Sequence, residues 1–327
     1  MKNILRNGFI IDASVELVPK ISISPFHEVF YNTEDNSEIS IAEEYLNRRF
    51  GTYKLFLKAR NAIYAVLKSF DLEKDDVVSI FTTSGNFYIS SCVTKEIEKV
   101  CKWSREISEK TKVIFINHEF GYPMSISDYT KLLELKTKNP ALKIIEDCAH
   151  TFFTNSNVIG SQADYVIYSL PKSFSMQIGS ILVSNRHNLE KEFLDNRLDN
   201  DYRNYVLSSF SQYVRNIEEY KTKQIQNYEY LKSKLEQLGI KPFFKKHTIE
   251  KNEIVPSVFL FSWNDKIDYP KLKEFMQSNG VESSVFYGKN AFFIPCNYAL
   301  TKDELDYMIA LLEYFYSTNK SNIETGV

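Results

Sequence analysis

Four side chains capable of chemistry lie in one stretch of this 327-residue chain: Asp147, His150, Ser169 and Lys172. Each follows a short apolar run. Residues 142–145 lead into Glu146-Asp147 with His150 just beyond, residues 165–168 lead into Ser169-Leu170-Pro171-Lys172, and a third run follows at 181–183. Runs this short and rich in Ile and Val read as buried strands. A carboxylate, an imidazole, a hydroxyl and an amine therefore gather at the carboxyl ends of buried strands, the edge where open α/β sheets bind ligands. A lysine there loses solvation and becomes a usable amine nucleophile, as a Schiff-base lysine must. A carboxylate on a neighbouring strand can pair with a pyridinium nitrogen. One lysine or one aspartate at a strand end is ordinarily structural or solvated; the joint pattern points instead to pyridoxal 5′-phosphate (PLP).

The surrounding elements must hold these groups. Residues 9–11 and 17–18 read as edge strands, and 37–50 as a helix with apolar residues at helical spacing, stopped by Gly51. Residues 55–57 form a short strand that turns through Ala59-Arg60-Asn61 into a helix. Free backbone N–H groups and the helix dipole favour a phosphate at such a turn, and Arg60 can pair with one directly. A surface arginine in a helix's first turn is the plain alternative. The strand at 77–81 runs into Gly85-Asn86-Phe87-Tyr88, residues 96–100 read as a further short strand, and 111–116 as a buried one that ends in Asn117-His118. His118 reads as structural.

The run I-E-D-C-A-H, then A-D-Y, then Y-S-L-P-K ahead of G-S-I-L-V-S-N resembles the centre of a fold-type I PLP enzyme, most closely the DegT/DnrJ-type sugar aminotransferases. His118-Glu119-Phe120-Gly121-Tyr122-Pro123 is similar to the family's H-x-F-G-Y-P turn, and the F-I-P-x-x-x-x-L-T run from Phe293 is similar to its carboxyl-terminal segment. The resemblance covers about 39–184 and again about 280 to the end. It implies an α/β fold: a large domain with a mostly parallel central sheet flanked by helices (1–190) and a smaller α/β domain (191–327). By the same resemblance, Lys172 carries the cofactor and then shuttles a proton. Asp147 keeps the pyridine nitrogen protonated, His150 lies near the phenolic oxygen, and Ser169 with Ala59, Arg60 and Asn61 binds the phosphate. Phe87, with Tyr88 as the alternative, stacks on the ring; either reads equally well as core. No metal is implied. Several family features differ here: Ala59-Arg60 stands where relatives carry Gly-Thr or Gly-Arg, Asn297 replaces a histidine, and no G-F-N-Y-R segment is present.

The implied activity is transfer of an amino group, from L-glutamate, to a keto-sugar linked to a nucleotide, as in surface-polysaccharide or amino-sugar biosynthesis. The alternatives are a PLP transaminase or lyase acting on a small non-sugar substrate, and a non-catalytic binding descendant of the fold. A homodimer is implied, with the aromatic-rich helices between 202 and 230 as its expected surface. The chain carries 40 Lys and Arg against 42 Asp and Glu, so no basic excess announces nucleic acid. Four scattered cysteines without a C-x-x-C pair suggest a reducing compartment. With no leader and no apolar run long enough to cross a bilayer, the expectation is a soluble cytoplasmic enzyme. After 185, helices are expected at 189–198, 202–220 and 223–238. Strands are expected at 257–261 and 281–287, and a last helix at 302–315.

Overall fold

The computed structural model describes residues 21–25, 39–193, 198–244, 254–264 and 266–325, with side chains as far as Asn319. The edge strands expected at 9–11 and 17–18 lie outside these residues. The chain divides into two compact units. One spans 28–217 with 249–255, and the other combines 1–27, 218–248 and 256–327. The break thus falls at Ile217, later than the expected boundary after residue 190.

The larger unit is built on a seven-stranded sheet in the order β1-β7-β6-β5-β4-β2-β3. Its strands are β1 (Tyr53–Phe56), β2 (Val77–Thr82), β3 (Lys102–Ser104), β4 (Thr111–Asn117), β5 (Lys143–Asp147), β6 (Tyr165–Ser169) and β7 (Ser180–Val183). Only β7 runs against its neighbours, so β1, β2, β4, β5 and β6 all end at one edge. Successive side chains alternate between faces. Phe56, Val113, Phe115, Ile145, Tyr165, Ile167 and Leu182 therefore share a core with Ala62, Val66 and Leu67 of α2 (Ala59–Ser69). Helix α3 (Ser91–Glu98) adds Val93 and Ile97 to the same core.

The segment read as a strand at 96–100 is thus the end of a helix. The spacing of Val93 and Ile97 is helical, and Ser90 caps the start by accepting from the Cys92 N–H at 3.3 Å. The strand signal belongs to β3, a few residues on. Helix α1 (Ile39–Phe50) packs with α6 (Asn200–Val214), and α4 (Ile126–Lys138) and the short α5 (Leu189–Glu192) complete the unit. The helix expected across 202–220 stops at Val214, and a new helix begins at Ile217.

The smaller unit holds a four-stranded antiparallel sheet in the order β10-β11-β9-β8. Its elements are α7 (Ile217–Leu235), β8 (Lys241–Pro242), β9 (Val258–Ser262), α8 (Tyr269–Ser278), β10 (Ser284–Val285), β11 (Phe292–Pro295) and α9 (Lys302–Thr325). Tyr228, Leu231 and Leu235 of the expected stripe pack here with Phe259, Phe261, Leu272, Met276 and Leu312. The strand expected at 281–287 is shorter, because Val281 instead bridges Ile21. No helix among the described residues is long and apolar enough to cross a membrane.

Candidate active site

Asp147 is the last residue of β5 and the register partner of Asn117 at the end of β4. Both continue the face that Val113, Phe115 and Ile145 bury. The Asp147 carboxylate is nearly fully buried. Its Oδ2 accepts from Asn117 Nδ2 at 3.0 Å and its Oδ1 from the Ala149 N–H at 3.0 Å. Burial pushes its carboxyl above the usual range. The Ala149 N–H, His118, the Asn117 amide and the Lys172 amine oppose that shift.

On the next strand, Ser169 ends β6 and a 3-10 turn covers Leu170–Lys172, with Pro171 at its start. Lys172 is exposed, yet it stands between two buried anchors, Leu170 and Phe174. Phe174 packs its ring against Phe152, Phe210 and Tyr213. Leu170 N–H donates to the Gly179 carbonyl at 3.0 Å, and Gly179 N–H donates to the Leu57 carbonyl at 2.8 Å. Those two bonds tie the lysine turn to the start of α2. Gly179 has φ +124°, and a Cβ there would lie 2.9 Å from Leu170 Cδ1. Only glycine allows this crossing of three segments.

His150 lies close enough to feel the Lys172 charge. Desolvation first and that charge second hold its imidazole down to about 3, so the ring is neutral at any ordinary pH. Its ring also meets Phe120, centroid to centroid at 5.6 Å. Phe120 itself sits at φ 51°, in the left-handed region.

At the first turn of α2 the N-cap residue, Lys58, supplies no side-chain acceptor to the free N–H groups. Ala59 is half-buried, while Arg60 and Asn61 are exposed. Arg60 Nη2 donates to Cys92 Sγ at 3.5 Å, which brings the guanidinium to the first turn of α3. Phe87 lies on the loop between β2 and α3 and is 74% exposed, with Tyr88 next to it at 54%. The structure brings together Asp147, His150 and Lys172, and beside them Ser169; it places the α2 turn at the same sheet edge and leaves Phe87 projecting from it. Asn117 was not singled out from sequence, because its role depends on the pairing of two strands remote in the chain.

His118 fits its structural reading. Its Nδ1 accepts from the Met124 N–H at 3.0 Å, so the proton sits on Nε2 and is donated to Glu146 Oε2 at 3.2 Å. Tyr129 OH and the Gly160 N–H, each at 2.8 Å, complete the donors to that fully buried carboxylate. His118, Glu146 and Cys148 bring three potential ligand atoms within 4.8 Å of one another. The hydrogen bonds just described already engage the imidazole and the carboxylate. In the smaller unit, the Asn297 amide is spent internally, on the Ser22 carbonyl at 2.8 Å and the Ala299 N–H at 3.0 Å.

Comparison with known proteins adds to this geometry. A family model described as "Putative PLP-dependent aminotransferase" matches residues 48–269. No curated protein matches. Among solved structures, a putative sugar aminotransferase of Streptococcus pneumoniae in its apo form is similar at TM-score 0.69 and 14% identity, covering 87% of this chain and 91% of that one. The same protein, solved with PLP and in its PMP form, is similar at TM-scores of 0.67 and 0.68. A DegT DnrJ EryC1 StrS aminotransferase from Brucella abortus matches at TM-score 0.67 and 13% identity, over 85% of this chain and 90% of that one. The sugar aminotransferase CalS13 from Micromonospora echinospora matches at TM-score 0.65 and 13% identity, over 86% and 97%.

Proposed function

The chain belongs to the PLP-dependent aminotransferase family whose model matches it, and from that premise we propose that it moves an amino group from L-glutamate to a keto-sugar linked to a nucleotide. The observation that carries the site assignment is the placement of Asp147 and Lys172 at the ends of adjacent parallel strands, with their charges coupled. Asp147 is a buried carboxylate whose ionisation is opposed by burial. Such a group calls for a cation, and a protonated pyridine nitrogen is one. The uncapped N–H groups at the start of α2, with Arg60 beside them, suit a phosphate. The residues present therefore fit PLP.

When bound, PLP supplies an electrophilic carbonyl and a ring that accepts an electron pair. Lys172 Nζ is the attachment point, and once released it takes the proton from the donor's Cα and returns one to the product. Asp147 keeps the ring nitrogen charged. Neutral His150 can donate to the phenolic oxygen without adding charge beside the amine. Ser169, Ala59, Arg60 and Asn61 hold the phosphate, and Phe87 covers a ring face. The protein works as a homodimer. The sugar acceptor is supported by the fold shared with sugar aminotransferases, and the glutamate donor by the family resemblance of the sequence.

The test is a two-part assay. PLP-loaded protein is first mixed with L-glutamate and 2-oxoglutarate is measured; the protein is then supplied with a panel of keto acceptors, nucleotide-linked and free. Stoichiometric 2-oxoglutarate followed by amination of the nucleotide-linked member is expected. Amination confined to small free ketones would replace the sugar reading with a non-sugar transaminase. No 2-oxoglutarate would remove glutamate as donor.

A further inference from the structure

We infer that Asn117 is the positioning residue for the Asp147 carboxylate, and through it sets the charge state of the cofactor ring. The inference rests on the PLP reading above and extends it to a residue that the site assignment does not include. Three observations carry it.

The first is register. Asn117 and Asp147 are paired residues in the parallel ladder between β4 and β5, so their side chains leave the sheet side by side on one face. The second is where the amide is used. Asn117 Nδ2 donates to Asp147 Oδ2 at 3.0 Å, while the loop that follows is held by other groups: the Thr83 N–H donates to the Asn117 carbonyl at 3.2 Å, Thr83 Oγ1 donates to the Tyr122 carbonyl at 2.7 Å, and the Met124 N–H donates to His118 Nδ1 at 3.0 Å. The side chain is not a turn-forming group that happens to lie nearby. The third is the division of labour at the carboxylate. Oδ1 takes the Ala149 N–H and Oδ2 takes the Asn117 amide, so the carboxylate plane is fixed from both oxygens. A carboxylate oxygen has two lone-pair sites, so one remains on each oxygen for a further donor.

The energetic consequence follows from burial. Desolvation raises the Asp147 pKa, and the hydrogen bonds to its charged form counter that rise. The Ala149 donor is main chain and survives any substitution at position 117. Asn117 is thus the adjustable part of the balance. Without it, Asp147 binds a proton more readily and its carboxylate can rotate. Both effects weaken its hold on a ring cation.

The experiment uses the full chain reconstituted with PLP, comparing wild type with Asn117→Val and Asn117→Asp. PLP dissociation constants come from fluorescence titration. The pH dependence of the bound cofactor's absorption spectrum is recorded for each, and melting temperatures of the PLP-free proteins control for folding. Asn117→Val is expected to weaken PLP binding roughly 10–100-fold, the scale of a lost hydrogen bond to a charged group. Asn117→Asp is expected to show a new spectral titration, because two carboxylates that close share a proton: at acid pH residue 117 can still donate to Asp147, and at alkaline pH that donor is lost and a second negative charge stands beside the ring nitrogen. A purely structural asparagine would shift melting in both variants while leaving the dissociation constant and spectral titration at wild-type values, and that result overturns the inference. If Asn117→Val does not fold, Asn117→Asp alone decides it. Wild type failing to bind PLP would instead strike at the cofactor reading, which keeps the two failures distinct.

Discussion

His150 is the residue whose environment makes the sharpest pH statement. Its imidazole is held down to about 3 by desolvation and by the Lys172 charge, whereas an unconstrained histidine titrates near 6.5. Between those values the unfolded chain binds a proton that the folded chain refuses. The favourable balance is therefore complete above about 6.5 and is lost as pH falls toward about 3. Replacing His150 with Gln removes that slope. The loss of urea midpoint between about pH 7.5 and about pH 5 should be smaller in His150→Gln than in wild type; an equal or larger loss would contradict the assignment. At this scale the sequence was informative where a side chain closes an apolar run. Asp147 and Lys172 could be read because the runs before them are visible as strands. Asn117 closes a run in the same way and went unread: its amide is meaningful only beside Asp147, and that neighbour is set by strand order. Phe87 shows the opposite limit, since an aromatic residue in a loop carries no periodicity to say which way it faces.

At the scale of elements, the site depends on how the lysine turn is tethered. The Leu170–Lys172 turn is fixed by Gly179 on one side and by the Phe174 aromatic cluster on the other. Gly179→Ala places a methyl group 2.9 Å from Leu170 Cδ1 and 3.3 Å from Val206 Cγ1, on a backbone at φ +124°. We expect a loss of about 1–3 kcal/mol from overpacking, with added backbone strain, read as a lower urea midpoint. The PLP affinity should fall with it, because Leu170 is where the displacement would enter the turn. Wild-type stability and affinity in this variant would mean that the turn is not held as described. Helix α3 differs from the strand expected at 96–100 because it buries only two apolar residues, Val93 and Ile97, and so short a run does not separate the two periods. Strands β4, β5 and β6 are legible because each is an apolar run buried almost throughout, and α7 because Tyr228, Leu231 and Leu235 recur at helical spacing.

At the scale of the whole chain, two compact units each carry their own apolar core. The division at Ile217 was not visible in composition, because α6 reads like the helices after it; its place is decided by Val206, Leu207 and Phe210, which are fully buried, and by packing of the helix on α1. Of the aromatic residues between 202 and 230, where a dimer surface is expected, Phe210, Tyr213 and Tyr228 are buried within the chain, and Tyr205, Tyr220 and Tyr230 are half-buried. Phe210 and Tyr213 meet Phe174, Tyr228 joins the smaller core, and Tyr202 is the exposed large hydrophobic residue of that stretch among the described residues. The exposed Tyr88 beside the site is a further candidate for the contacts of the proposed homodimer. Light scattering of the PLP-loaded protein should give twice the chain mass, with Tyr88→Lys shifting it toward the monomer; a monomeric wild type would remove the dimer from the account.

The central claim is that Lys172 carries the cofactor. Borohydride reduction of the PLP-loaded protein, followed by peptide mass mapping, tests it directly. A single reduced PLP adduct is expected on the peptide containing Lys172, absent from Lys172→Ala. An adduct on a different lysine in wild type, or none at all, would contradict it.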